Sequence, residues 1–171
     1  MAIPPDISRR ALLRGRVHAP VPLRPPWALD EPAFLEACTA CDRCVDACPE
    51  QVLVRAGGGH PVFDPARGEC TFCGDCAAAC TPRALDRARP RPWTQTAVIG
   101  DACLTAQGVV CASCADACPE RAIRMHRAGP VAVPRIDAAA CSGCGACVGV
   151  CPTVTVALQA PASPRLSGAA A

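Results

Sequence analysis

The sequence predicts an α+β protein of two tandem units, with short strands and helices folded around inorganic centres rather than a large apolar core. Three observations carry this expectation. The 16 cysteines of the 171 residues fall into four sets of four with none left over. The second half of the chain repeats the first: Cys111, Cys114 and Cys118 lie 70 residues after Cys41, Cys44 and Cys48, and Cys141, Cys144, Cys147 and Cys151 lie 71 after Cys70, Cys73, Cys76 and Cys80. Ordinary burial is thin, because Leu, Ile, Val and Phe together number 33 and there is no tyrosine. Small domains hide less of their surface and need disulfides or metals to compensate.

The spacing identifies the centre. Cys141-Ser142-Gly143-Cys144-Gly145-Ala146-Cys147-Val148-Gly149-Val150-Cys151-Pro152 is a Cys-x2-Cys-x2-Cys-x3-Cys-Pro run, the bacterial ferredoxin clamp for a [4Fe-4S] cluster. Two-residue gaps curl the chain so that three thiolates point inward from one loop. Gly143 and Gly145 tolerate positive φ and let the backbone approach inorganic sulfide. Disulfides would need an oxidising compartment, for which the chain offers no convincing secretory signal. Structural zinc suits Cys-x2-Cys pairs, but as two separated pairs rather than three or four thiols in one run before proline.

In two-cluster ferredoxins the fourth cysteine of each run ligates the other cluster. Applied within each repeat, that rule predicts two βαββαβ ferredoxin-like units of two clusters each. Cys38, Cys41 and Cys44 join Cys80, and Cys70, Cys73 and Cys76 join Cys48. Cys141, Cys144 and Cys147 join Cys118, and Cys103, Cys111 and Cys114 join Cys151. The third set breaks the repeat. A strict copy of Cys38 falls at Gly108, and Cys103-x7-Cys111 is five residues longer than the other intervals. A loop insertion accounts for it at little closure entropy. The expected cofactors are therefore three or four [4Fe-4S] clusters, with the site built on Cys103 either complete, a [3Fe-4S] centre, or empty.

In chain order, residues 1–30 form a basic, proline-rich arm with Arg9, Arg10, Arg14, Arg16 and Arg24 and a net charge of +4 by Trp27. Ser8-Arg9-Arg10-Ala11-Leu12-Leu13-Arg14 is similar to a twin-arginine export motif. An export signal needs an apolar stretch of about 7–15 residues, and Arg14, Arg16, His18, Pro20, Pro22 and Arg24 interrupt any such stretch. A cytoplasmic, extended arm is the reading that follows. The first unit spans 31–88, with a hairpin of Val52-Leu53-Val54 and Val62-Phe63 around Gly57-Gly58-Gly59. The segment 89–93 is an Arg/Pro linker. The second unit spans 94–160, with a hairpin of Ile123-Arg124-Met125 and Val131-Ala132-Val133 around Ala128-Gly129-Pro130. Residues 161–171 form a flexible tail.

Composition excludes several classes. A net charge of +2 offers no general attraction for nucleic acid, and no run of 18 apolar residues offers a membrane span. No glycine-rich nucleotide loop, Gly-x-Ser-x-Gly elbow or His-Glu-x-x-His site appears. The chain reads as an electron carrier or cluster-bearing adaptor without a substrate site, not as an enzyme. His18, His60 and His126 are isolated and read as ordinary exposed histidines. Trp27 and Trp93 close two Arg/Pro-rich segments and read as covers for apolar cluster shells, with partner docking as the alternative. Cys38 to Asp86 carries 4 Arg against 7 acids, a solvated acidic face that could orient a basic partner.

Over almost its whole length the chain resembles the NapF family, the ferredoxin-type proteins of periplasmic nitrate reductase systems. The matching residues are Ser8-Arg9-Arg10 with Gly15-Arg16, Arg24-Pro25-Pro26-Trp27, the two plain four-cysteine sets, Ile99-Gly100-Asp101-Ala102-Cys103-Leu104 and Cys141 to Cys147. The resemblance implies a cytoplasmic protein that binds the catalytic subunit of periplasmic nitrate reductase as a cytoplasmic precursor and assists its maturation before export. It carries the cysteines over as cluster ligands and leaves Cys103 open. The related exported NapG ferredoxins share the Arg-Pro-Pro segment and the long third-set interval, but have a true twin-arginine signal. Electron transfer of the NapG kind is the alternative.

Overall fold

A computed structural model of the chain describes residues 22–89, 93–127 and 129–159. The twin-arginine-like stretch, Gly15-Arg16, His18, most of the linker and the tail lie outside the described residues. The chain divides into two compact units, residues 1–93 and 94–171.

The first unit runs α1 (Glu31–Ala37), α2 (Arg43–Asp46), β1 (Leu53–Arg55), β2 (Pro61–Phe63) and α3 (Asp75–Ala78). Helix α1 starts where its sequence favours a start, with Glu31 at the positive end of the helix dipole and a proline in the first turn, where the missing amide costs nothing. It buries one residue, Phe34, which has no exposed surface. Strands β1 and β2 pair antiparallel with Leu53 opposite Phe63 and Arg55 opposite Pro61, at the place where the Gly57-Gly58-Gly59 turn puts them.

The outer strands expected of a βαββαβ unit are reduced here to a single antiparallel bridge between Ala28 and Leu85. Leu29 donates to the Ala84 carbonyl at 3.0 Å and Asp86 to that of Trp27 at 2.8 Å, and the pairing goes no further. Pro25, Pro26 and Pro82 flank it, and proline cannot donate to a ladder. The segment 22–30, read from sequence as part of an extended arm, is packed into this unit instead. Pro25 and Pro26 are fully buried and Trp27 is 8% exposed. Arg24 anchors it with a two-pronged pair to Glu31 at 2.9 and 2.6 Å, a bond to the Pro61 carbonyl at 3.1 Å, and its guanidinium 4.7 Å from the centre of the Phe34 ring.

The second unit runs β3 (Thr96–Ile99), a 3-10 turn (Leu104–Gln107), α4 (Ser113–Asp116), β4 (Ile123–Arg127), β5 (Ala132–Ile136), α5 (Ala146–Gly149) and β6 (Val156–Gln159). Strands β4 and β5 pair with Ile123 opposite Ile136, and β3 and β6 pair with Thr96 opposite Gln159. Along β6 the strand alternates, with Val156 and Leu158 buried and Ala157 and Gln159 exposed, as a sheet with one covered face requires. Ala97, Ala122, Ile123, Val148, Val156 and Leu158 form its apolar interior. Every sheet among the described residues has two strands, and none of their helices is long and apolar enough to cross a membrane.

Candidate iron-sulfur centres

The cysteine loops precede helices of a single turn, and left-handed residues shape them. In the first set Ala40 (φ 52°) and Asp42 (φ 62°) bracket Cys41; in the second Phe72 (φ 55°) and Gly74 (φ 88°) bracket Cys73; in the fourth Gly143 (φ 73°) and Gly145 (φ 92°) bracket Cys144. Positive φ on both sides of the middle cysteine rolls the loop around its thiols. Only three of these six positions are glycine, so Ala40, Asp42 and Phe72 adopt it against their own preference. In the third set Ala112 has φ −133°, and the 3-10 turn at Leu104–Gln107 occupies the insertion.

A second device repeats four times. Three residues after the last cysteine of each set comes a left-handed residue, Gln51, Arg83, Arg121 or Val154. Each donates its amide to the carbonyl of that cysteine: Gln51 to Cys48 at 3.1 Å, Arg83 to Cys80 at 3.2 Å, Arg121 to Cys118 and Val154 to Cys151 at 3.1 Å. This turn redirects the chain directly after the last cysteine of each set.

Cys38, Cys41, Cys44 and Cys80 line one hollow with Phe34, Pro82 and Leu85. Cys70, Cys73, Cys76 and Cys48 line another with Pro26, Trp27 and Phe72. In the second unit Cys141, Cys144, Cys147 and Cys118 line a third with Ala97, Ile123 and Leu158. Each hollow mixes three cysteines of one set with the last of its partner set. Among the described residues no three His, Cys, Asp or Glu side chains gather as they would on a single metal ion. Three thiols from one run with a fourth from the partner set suit a polynuclear cluster better than the two separated pairs usual for tetrahedral zinc.

Electrostatics join Cys80 to Cys38 and Cys44, and otherwise couple thiols within a set and across to the adjacent one. Burial first, then the thiols of Cys80 and Cys38, push Cys44 up to about 11. Burial and Cys70, with Cys44 and Cys73 adding to them, push Cys76 up to about 12. Burial, Cys144, Cys141 and the more distant Cys114 push Cys147 up to about 12. Burial, then the thiols of Cys103 and Cys111, push Cys114 up. Cys151 follows α5, which packs on α4, the helix that carries Cys114. Burial raises Cys151, but the Thr153 hydroxyl and the amides of Thr155 and Val156 outweigh it and hold this thiol below its ordinary range. Crowded thiols in dry surroundings resist ionisation on their own, and cationic iron removes that resistance.

Several residues around the centres are not visible from cysteine spacing. Ala97 donates its amide to Cys141 Sγ at 3.5 Å and Ala122 to Cys118 Sγ at 3.3 Å. Arg43 reaches Thr81 Oγ1 at 2.5 Å, which gives a purpose to the threonine that separates Cys80 from Pro82 and ties the first set to the second. Trp27 covers a thiol-lined hollow as the sequence suggests, whereas Trp93 stacks with Phe63 and Phe72 at 4.8 and 5.4 Å between ring centres. His126 is exposed; His60 is half-buried with its ring 6.1 Å from that of Phe34, so the exposed reading fails for it.

Comparison with known proteins identifies the type of centre. Residues 37–85 and 109–155 each match a family model described as a 4Fe-4S dicluster domain. The chain is 40% identical over 157 residues to the ferredoxin-type protein NapF of Escherichia coli K12, covering 90% of this chain and 95% of that protein. It is 35% identical to NapF of Haemophilus influenzae Rd, covering 90% and 94%. The ferredoxin-type protein NapG of Escherichia coli K12 is 37% identical over 77% of this chain and 66% of its own length. The chain carries several 4Fe-4S clusters and belongs to the NapF family of ferredoxin-type proteins.

Proposed function

We propose that the sixteen cysteines hold four [4Fe-4S] clusters, cross-wired within each unit. Cys38, Cys41, Cys44 and Cys80 hold the first, and Cys48, Cys70, Cys73 and Cys76 the second. Cys103, Cys111, Cys114 and Cys151 hold the third, and Cys118, Cys141, Cys144 and Cys147 the fourth. The grouping of three-plus-one thiols around each of three hollows supports this wiring. A bound cluster supplies one-electron chemistry. The chain's own residues exclude water with Trp27, Phe34 and Leu158, aim amides at sulfur, and position the thiols. We read the protein as an electron-transfer or maturation protein rather than an enzyme.

On this reading the protein acts in the cytoplasm on the catalytic subunit of periplasmic nitrate reductase before its export, and assists assembly or reduction of that subunit's iron-sulfur centre. The observation that carries it is 40% identity to a NapF across 90% of the chain. Capture of the holo-protein from anaerobic cytoplasmic extract is expected to recover the nitrate reductase precursor. Recovery of the holo-protein with no such precursor would overturn the maturation role. A second reading, a carrier of NapG type, is favoured by the exposure of Cys41 and Cys73, which leaves a short path from cluster to surface. Recovery of the protein from the periplasm, with no precursor bound, is the result that reading expects.

A further inference from the structure

The third cluster site has a set of side chains whose chemistry converges on sulfur. Thr105 Oγ1 lies 3.2 Å from Cys103 Sγ, Ser113 Oγ 3.7 Å from Cys111 Sγ, and Thr153 Oγ1 3.6 Å from Cys151 Sγ. Sulfur's larger radius makes such separations hydrogen bonds where the same distances between oxygens would not be. Thr105 is 6% exposed, one of two buried polar residues among the described residues of its unit. Between two protonated groups either could donate. A thiolate bound to iron has no proton, so on a loaded site the hydroxyl is the donor and sulfur the acceptor.

A sequence pattern independent of distance selects the same residues. A Ser or Thr two residues after a cysteine occurs at Cys103-Leu104-Thr105, Cys111-Ala112-Ser113 and Cys151-Pro152-Thr153, and at none of the other thirteen cysteines. All three cysteines are assigned to one cluster by the cross-wiring proposed above, on which this inference rests. The pattern also gives the five additional residues between Cys103 and Cys111 a purpose. They fold as the 3-10 turn whose buried residue is Thr105, so the insertion delivers a hydroxyl as well as a ligand.

Hydrogen bonds to cluster sulfur withdraw charge from it and favour the reduced form. We propose that Thr105, Ser113 and Thr153 are potential-setting residues whose hydroxyls converge on the cluster of Cys103, Cys111, Cys114 and Cys151 and raise its reduction potential. The three do not ligate iron; they act through the sulfurs that do.

The test is a potentiometric titration of the full-length holo-protein, followed by electron paramagnetic resonance, with iron and sulfide counted in parallel. Thr105→Val, Ser113→Ala and Thr153→Val are each expected to move one and the same couple to lower potential, with the combined variant moving it furthest and the other couples fixed. Thr105→Ser and Ser113→Thr keep the hydroxyl and are expected to leave that couple where it is, which a merely structural role would not require. Ser113 is half-buried at the start of α4, so Ser113→Ala remains informative if Thr105→Val loses iron. Two results overturn the proposal and differ from each other. If Thr153→Val moves a different couple from Thr105→Val, the cross-wiring is wrong and the hydroxyls do not converge. If every couple stays in place at full iron loading, the wiring stands and the hydroxyls set no potential.

Discussion

The two units surround matching cysteine frameworks by opposite means. All five aromatic residues, Trp27, Phe34, Phe63, Phe72 and Trp93, lie in the first unit, and the second has none. Where the first wedges rings and prolines against its thiols, the second uses backbone, with four residue pairs between β3 and β6 in place of the bridge between Ala28 and Leu85. A thiol cage needs a dry wall, and either large side chains or a hydrogen-bonded ladder can supply one. Neither unit has enough ordinary core to do without the metal, but the first has more to fall back on.

Removal of iron has the largest effect expected of any perturbation. Chelation or oxidative loss should abolish protease resistance throughout, because ligand sites rarely hold together unloaded. The second unit is expected to be cut first, and mass spectrometry of timed digests reads the order. A fragment from residues 94–159 that outlasts one from 22–93 would reverse the comparison.

Next in size, Phe34→Ala in the first unit is expected to cost about 3–5 kcal/mol, since it empties a fully enclosed ring site. The corresponding truncation in the second, Ile123→Ala, is expected to cost about 2–3 kcal/mol. Urea midpoints of the holo-proteins under anaerobic conditions measure both. Equal costs would mean that the rings do not make the difference. Arg24→Gln is the smallest. Its pair with Glu31 is half open to water, with 36% of the Glu31 side chain exposed, and about 1 kcal/mol is the expected loss. A larger loss would show that the Arg24-Pro25-Pro26-Trp27 stopper, rather than the cluster, organises the first unit.

Much of this was legible in the sequence, and the omissions have physical causes. Cysteine spacing and the 70-residue repeat predicted the sets, and both hairpins fell where β-rich residues flank a turn of small residues. Arg24-Pro25-Pro26-Trp27 has the composition of a linker, and nothing local reveals that Glu31 and Phe34 receive Arg24. The bridge at Ala28 was missed for the same reason. Left-handed Ala40, Asp42 and Phe72 carry no glycine to announce them. Loop length does not fix where a loop returns, so spacing leaves Cys103 open; its electrostatic coupling to Cys114 supports placing it with the third set.

The four repeated turns bear on how the protein is made. Gln51, Arg83, Arg121 and Val154 each hold a conformation that costs a non-glycine residue about 1–2 kcal/mol, and on the proposed wiring each follows a cysteine given to the neighbouring cluster. The first cluster to form in a unit therefore draws its two sets together, and the second meets loops already brought side by side. Loading becomes a two-step affair with a slow start and a quick finish. A population caught during assembly is expected to divide into empty and doubly filled units, with singly filled ones scarce.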